Sequence, residues 1–535
     1  MFFKQKQPKE AALNEFDQVV VGNSLSKDAW KRLKKNKMAV LGMIIVAIYS
    51  LLAASAMFLP IHPYDQIILD HQHLRPSFSK TAGDLMMETK LDDLYFKAWR
   101  AGSLEVTEEE SQQIEKWISL NETNRVWNFL YAEGEAQREA GTFTFSSADQ
   151  RTIDRLQEKI DTEFLINIEK MFYTDSETGK SKNIARMDFL DIQRIYAEYL
   201  GVEESVIADQ VQNEVRSQVL NSVKAATPDL TNEEYEANLE LELQSLGDKG
   251  IANMAKTNLL VSLKTAISRT IERELKQEVK DGKAEFPINR EVTVNDVLSA
   301  NITADLKHER HYYLGTDYSG RDMLSRIIYG GQVSIAIGLV GTITSVLIGI
   351  VLGAIAGYAG GKIDFFLMRF VDIMYGLPYM LLVIIFMAIF GRNIMNLFVA
   401  LAMVSWLTVA RMVRGQIMSL KNSEYVEAAR SMGASTGRII FRHMVPNSLS
   451  VIIVYSTLRV PAFIMQESFL SFLGLGVQAP YASWGSLVGD AVNGMTLYPW
   501  KLVFPAIAMT IFLFAMNFFG DGLRDAFDPQ SKNQL

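Results

Sequence analysis

The chain has 535 residues, 49% of them hydrophobic, and a formal net charge of −8. It contains no cysteine, which excludes disulfide scaffolds, thiolate metal sites and cysteine nucleophiles. The charge is divided along the chain: residues 61–310 hold 46 Asp+Glu against 29 Lys+Arg, and the remainder holds 15 against 24, so a basic part carries an acidic soluble part.

Residues 1–37 read as a basic N-terminal segment. Its last stretch, "KDAWKRLKKNK" (Lys27–Lys37), is a partly amphipathic helix with Trp30 and Leu33 expected at the bilayer interface. It is a topology determinant, with anionic-lipid recognition as the alternative. Residues 38–59 then form the first of six mostly apolar runs, each of about 20 residues, the length that crosses a hydrocarbon core of about 30 Å. This run, Met38–Leu59, ends in Phe58-Leu59-Pro60 without a small-residue cleavage site, and reads as a retained anchor.

Residues 60–313 are rich in Glu, Lys, Gln, Leu and Ala and show helical periodicity. In "TNLLVSLKTAISRTIERELKQEVK" (Thr257–Lys280), Leu259, Leu260, Leu263, Ile267 and Ile271 recur at three- and four-residue steps, as one apolar helix face does. Further helices are predicted at Glu108–Glu139, Ala148–Tyr173, Met187–Tyr199, Ser205–Val223 and Glu233–Leu246, with a short strand at Asn289–Leu298. The block is long enough for its own core. It holds no HExxH and no nucleophile–base–acid spacing, so no catalytic residues are assigned. His62, His71 and His73 lie beside Asp65 and Asp70, but lack a fixed ligand spacing. Solvated polar residues are the default reading, and no metal site is assigned.

The other five apolar runs are Val333–Tyr358, Phe365–Phe390, Ile394–Val413, Leu449–Leu473 and Leu502–Phe519. In the second span Gly341, Ser345, Gly349, Gly353 and Gly357 recur every four residues, a ridge of small side chains that admits a neighbouring helix closely. "GYAGGKID" (Gly357–Asp364) fails as a phosphate loop: Ala356 stands where the first glycine belongs, and Ile363 follows Lys362. Pro378 and Pro461 should kink their helices. Asp364, Arg369 and Asp372 fall at the inner end of the third span, and Arg459 and Glu467 within the fifth. Ionisable residues at membrane depth face a cavity or a partner, so Asp372, Arg459 and Glu467 are candidate pathway or intramembrane polar residues, with structural pairing as the alternative.

Orientation follows from the bases. Six Lys/Arg fall in Lys27–Lys37 just before the first span, six more lie from Arg411 to Arg442, and none occurs in the segment "GVQAPYASWGSLVGDAVNGMTLYPW". The positive-inside rule then puts both termini and residues 414–447 in the cytoplasm and residues 60–313 outside.

Between the fourth and fifth spans stands "EYVEAARSMGASTGRIIFRHMVPN" (Glu424–Asn447). Asn422 or Ser423 can cap a helix, and Glu424 and Glu427 fit the positive end of its dipole. Tyr425, Ala428, Ala429 and Met432 share a face. Gly433 supplies a left-handed terminus, and a second helix runs from Ser435 or Thr436 to Pro446, where the next span starts. A rigid element of this kind, charged and projecting from the membrane, reads as a docking helix.

The spacing Glu427-Ala428-Ala429, Gly433, Pro446 resembles the coupling loop of permease subunits in bacterial ABC importers. "LGTDYSGRDMLSRIIYG" (Leu314–Gly330), "ESFLSFLGLGVQAPYASWG" (Glu467–Gly485) and "SKDAWKRLKKNKMAVLG" narrow it to the "C" permease of the oligopeptide/dipeptide group, over residues 24–60 and 311–528. The resemblance implies an all-α polytopic protein of the bacterial plasma membrane. Six transmembrane helices in the type I importer arrangement are implied, the first at residues 38–59 and the second to sixth in a permease core at residues 314–528, with a tail at 529–535, plus a mainly helical extracytoplasmic insertion. It implies a homologous "B" permease, two cytoplasmic ATPases that bind ATP and Mg, and an extracytoplasmic peptide-binding protein as partners, with membrane lipid around the spans. No cofactor on this chain and no nucleic acid are implied. The coupling helix would dock on an ATPase through Glu424, Tyr425, Glu427, Ala428, Ala429, Met432, Gly433 and Pro446. The insertion departs from the family pattern. It would cap the outer mouth and contact the binding protein, or be a decoration. Import of nickel chelates or another small solute, and a non-transporting mechanotransmitter acting through the outer domain, are the competing readings.

Overall fold

The computed structural model describes residues 25–176, 178–227 and 231–527. It divides into two compact units, Met1–Phe78 with Tyr312–Leu535, and Ser79–His311. The inserted unit is therefore shorter than the expected 60–313. Residues 61–78 belong to the membrane unit because they pair along the segment before the second span. Ile68 N–H donates to Ser319 O (3.2 Å), His73 N–H to Asp317 O (3.1 Å) and Thr316 N–H to Leu74 O (3.0 Å).

Among the described residues of the membrane unit five helices are long and apolar enough to cross a bilayer, and a sixth span is counted if one bent pair is taken as a single crossing. The first, Lys37–Ala54, starts where Asn36 Oδ1 accepts from Met38 and Ala39 N–H (3.1 and 3.2 Å), an N-cap that satisfies two free donors. It packs on the last, Trp500–Phe527. At Gly42 an added Cβ would stand 2.4 Å from Ala515 O, and at Gly522 2.0 Å from Ala39 Cβ. The helix Leu25–Leu33 joins them: Leu33 is buried with Ala29, Ala39 and Ala526, so it is a packing residue, while Trp30 is half-exposed.

The second span, Met323–Ala359, is capped by Asp322 and carries the small-residue ridge entirely buried. Added Cβ atoms would lie 2.5 Å from Val409 at Gly349, 2.4 Å from Ala410 O at Gly353 and 2.8 Å from Arg414 O at Gly357. These contacts put the fourth span, Ile394–Leu420, against the ridge with little between the backbones. Gly341 instead receives the ring of Phe463 from the fifth span.

The expected single third span, Phe365–Phe390, is two helices, Gly361–Gly376 and Tyr379–Phe390, bent by 84°. Pro378 has no N–H to continue the first helix, and its ring forces Leu377 into an extended conformation (ψ 139°). The fifth span behaves in the opposite way. The expected break at Pro446 is absent, and Thr436–Phe472 is one helix. A π-helical turn over Ile439–Met444, with Val445 N–H donating to Ile440 O, shifts the carbonyl register ahead of Pro446 so that the ring is accommodated. Pro461 also sits inside this helix.

Among its described residues the inserted unit has two large cores. The first gathers Tyr95, Trp99, Ile114, Val126 and Leu130 from the helices Ala82–Arg100, Glu108–Ser119 and Thr123–Glu139, with Leu104 and Phe143 from the segments that follow the first and third of them. The expected single helix Glu108–Glu139 is thus two, separated at Asn121, a non-glycine residue at φ +58°. The second core is built on a four-stranded antiparallel sheet. Its strands are β1 (Phe164–Thr174), β2 (Ser181–Asn183), β3 (Ile288–Asn295) and β4 (Leu298–Leu306), in the order β2-β1-β4-β3.

The helix expected over Ala148–Tyr173 covers only Ser147–Thr162, and β1 takes the rest. "FLINIEKMFYT" is rich in aromatic and β-branched residues, and a register shift between Ile168 and Lys170 leaves Glu169 as an extra residue. That bulge keeps Phe164, Ile168 and Met171 all on the buried side. Against the sheet lies Asn232–Lys280, which breaks at Gly247 (φ +62°) and buries Leu259, Leu263, Ile267 and Ile271. Leu260 is only partly buried.

Candidate functional site

The short helix Glu424–Ser431 is fixed at both ends. Ser423 O accepts from Val426 and Glu427 N–H (2.9 and 3.1 Å). At the other end Gly433 (φ +78°) donates to Arg430 O and Ala434 N–H donates to Ala429 O, both at 3.0 Å. These two bonds are the Schellman pair that closes a helix. An added Cβ at Gly433 meets nothing within 4 Å, so the glycine is required for its φ and not for space.

The helix turns Val426 and Ala429 into a core with Val409, Val413, Ile417, Ile439, Ile440 and Met444. That corrects one expected docking residue: Ala429 is 3% exposed and holds the helix to its own spans. Glu424, Tyr425, Glu427, Ala428 and Met432 are exposed, Met432 at 81%. Pro446 is exposed within the continuous helix described above. Sequence reasoning missed Val426, although a β-branched apolar residue three before Ala429 inside a charged run is the pattern of an anchored face.

The intramembrane residues separate into three kinds. Glu467 is fully buried. Its Oε1 accepts from the Ser471 and Ser483 hydroxyls, both at 2.6 Å, and so ties the fifth span to the start of the helix Trp484–Ala491. Its burial places it inside the bundle and off any open face. Asp372 accepts from Arg411 Nη2 at 2.5 Å, each side chain nearly half exposed. Asp364 takes a two-pronged contact from Arg414, 2.5 and 2.6 Å. Arg459 has no carboxylate among the described residues. Its Nη2 donates to Ser405 O at 3.0 Å, its Nε is buried without a partner, and the Phe463 ring lies 5.7 Å away.

At the other end of the second span, Asp317 accepts from Arg321 Nε (2.7 Å), from Arg326 Nη1, and from the backbone N–H of Ser319 and Arg321 (2.7 and 3.0 Å). Gly320 (φ +72°) is required there because an added Cβ would stand 1.8 Å from Ile68 O. The run "LGTDYSGRD" is therefore a hydrogen-bonded knot that starts the span at Asp322, whose carboxyl burial pushes above the usual carboxylate range.

Of the three histidines near the domain entrance, His62 and His71 both pack against the Tyr312 ring. His71 Nδ1 lies 2.8 Å from the Tyr312 hydroxyl. His73 stacks on Tyr498 with centroids 4.2 Å apart and touches Lys501. Burial, and then the Lys501 cation, hold His73 below the usual imidazole range.

Residues 349–533 match the family described as "Binding-protein-dependent transport system inner membrane component". Residues 24–76 match the "N-terminal TM domain of oligopeptide transport permease C". The chain is 47% identical over 247 residues to the oligopeptide transport system permease protein OppC of Haemophilus influenzae, covering 46% of this chain and 78% of that protein. It is 46% identical over 246 residues to OppC of Escherichia coli, covering 46% and 82%. It is also 46% identical over 220 residues to the dipeptide transport system permease protein DppC of Bacillus subtilis, covering 41% and 69%. The chain belongs to this permease family.

As a C-type permease it is a multi-pass inner-membrane protein and a transport subunit, not an enzyme. The two matched segments leave residues 77–348 between them, and the inserted unit of this permease, Ser79–His311, falls in that gap.

Proposed function

We propose that the chain is the permease subunit of an ATP-driven importer that carries peptides across the plasma membrane. The observation that carries the reading is the coupling element. A permease core 47% identical to an oligopeptide permease presents a short helix seated on the bundle by Val426 and Ala429, with Tyr425, Glu427, Ala428 and Met432 exposed. Helix and spans form one packed body, so a push on the exposed face is transmitted to the fourth and fifth spans.

In this reading the helix docks on a cytoplasmic ATPase that binds ATP and Mg. A homologous permease completes the pathway, and an extracytoplasmic peptide-binding protein delivers substrate. Both termini and residues 414–447 are cytoplasmic and the inserted unit is outside in this reading, which the distribution of bases supports. The relatives reported above are named for oligopeptides and dipeptides, which supports a peptide cargo over nickel chelates or a non-transporting role.

The test is ATP-dependent uptake of labelled peptides by the reconstituted complex. Glu427→Arg combined with Gly433→Pro should abolish uptake while the protein stays in the membrane. Uptake that survives both changes would sink the coupling assignment.

A further inference from the structure

We propose that Arg459 is the centre of a transient binding site for a carboxylate of the transported peptide, built at the break in the third span. The inference rests on the peptide-permease reading above and assigns it a chemical step inside the membrane.

Arg459 lies near the middle of the fifth span, where an uncompensated cation is costly and needs an anion or water nearby. Arg411 and Arg414, on the adjacent fourth span, each face a carboxylate; Arg459 faces none among the described residues. Among the described residues its hydrogen bond goes to a backbone carbonyl of the fourth span, and its Nε–H is left without an acceptor.

Three phenols lie around it beside the Phe463 ring. Tyr375, Tyr379 and Tyr455 lie within electrostatic reach of the guanidinium. The Tyr379 hydroxyl is buried without a partner, and the Tyr375 hydroxyl shares a 2.5 Å hydrogen bond with Thr408. The second half of the third span begins at Tyr379 with no side-chain cap, so its free N–H groups add positive potential at the same place. One cation, an unused phenol and an uncapped helix start all lack the same thing, an acceptor with negative charge.

The site is reachable. Tyr375 is 44% exposed and Tyr455 37%, and the neighbouring Arg411–Asp372 pair is nearly half exposed. Charged groups at this depth do not face lipid, so this side of the chain is turned toward a polar path. A planar guanidinium matches a carboxylate in fork geometry, and every unmodified peptide carries one at its C-terminus. With no carboxylate paired to Arg459 among the described residues, the anion is held while it passes and no resident pair has to be broken first.

The experiment is uptake by the reconstituted complex at saturating binding protein, with wild type, Arg459→Gln and Arg459→Lys. Three peptides of one sequence are compared: a free C-terminus, a C-terminal amide, and the amide with one interior Glu. Arg459→Gln should lower free-acid uptake by about tenfold, the loss expected for one charge-assisted hydrogen bond, and leave amide uptake within about twofold. Arg459→Lys should recover part of the loss. Sensitivity of the Glu-containing amide to Arg459→Gln would extend the site to side-chain carboxylates; insensitivity would restrict it to the C-terminus. Equal loss for the acid and the amide, or loss of complex assembly, would overturn the proposal by making Arg459 a structural or subunit-contact residue. Uptake of no peptide by wild type would overturn the peptide reading itself and this inference with it.

Discussion

Val426 is 0% exposed and Met432 81%, six positions apart on one short segment. The first is buried in the membrane unit's own core with Val409, Val413 and Ile440; the second is turned out of that core. Val426→Asp would bury a carboxylate with no partner, which costs several kcal/mol, so the variant should be depleted from the membrane, measured by immunoblot of membrane fractions. Met432→Ala loses no core contact, and its stability should stay within about 0.5 kcal/mol of wild type. If Met432 reaches an ATPase, the variant reaches normal abundance yet shows reduced uptake and reduced peptide-stimulated ATP hydrolysis. Normal uptake by Met432→Ala would remove it from the docking face. Gly433→Ala is a subtler probe, because the position has open space and the only cost is the left-handed backbone, about 1–2 kcal/mol. It should weaken coupling less than Gly433→Pro, which also removes the N–H donated to Arg430 O.

At the scale of elements, the third span turns on one proline. Pro378 separates helices bent by 84° and leaves Tyr375 and Tyr379 on either side of the bend. Pro378→Ala restores the missing N–H and removes the restriction on Leu377, so the span should straighten and carry Tyr379 away from Arg459. A thiol placed at Leu377 in this cysteine-free chain reads the change directly. Its labelling by a water-soluble maleimide should fall in the Pro378→Ala background, and uptake should fall with it; unchanged labelling would mean that tertiary packing and not the proline sets the bend. Pro446 shows why this was only half legible in the sequence. Both prolines read as interruptions, but a π turn over Ile439–Met444 absorbs one of them, and that choice depends on how Ile439, Ile440 and Met444 pack. The apolar spans, the glycine ridge and the Gly433 terminus were readable because each rests on local spacing. The burial of Ala429 and Glu467, and the strand Phe164–Thr174, were not. Whether an apolar run pairs with a strand such as β4, more than 100 residues away, is not written in local spacing, and which helix face is covered depends on how neighbouring segments fold back on it.

At the scale of the whole molecule, the inserted unit has the anatomy of a separable domain. Both of its cores are made only of residues between Leu91 and Ala304. Its ends lie side by side, because Ala82 N–H donates to Arg310 O (2.7 Å) and Gly83 N–H to His308 O (2.8 Å). On the membrane side of the junction, Ser77 N–H donates to Tyr312 O at 3.2 Å, so the two chain ends that the insertion interrupts are already neighbours. Adjacent termini and an independent core are what allow a domain to be inserted into, or cut from, a host. Residues 79–311 expressed alone should therefore fold, with mixed helix and sheet circular dichroism and a single or double cooperative melt. The complementary variant, with 79–311 replaced by Gly-Ser, should assemble with its partners and keep basal ATP hydrolysis. Its transport then tests what the acidic unit is for. If the unit helps to recruit the peptide-binding protein, the deletion raises the concentration of that protein needed for half-maximal uptake and leaves the maximal rate near wild type, because a recruitment surface acts on encounter and affinity. Loss of the maximal rate with assembly intact would instead place the unit in the transport cycle. Identical curves for the two proteins would show that the permease core is sufficient and that the insertion serves something other than import.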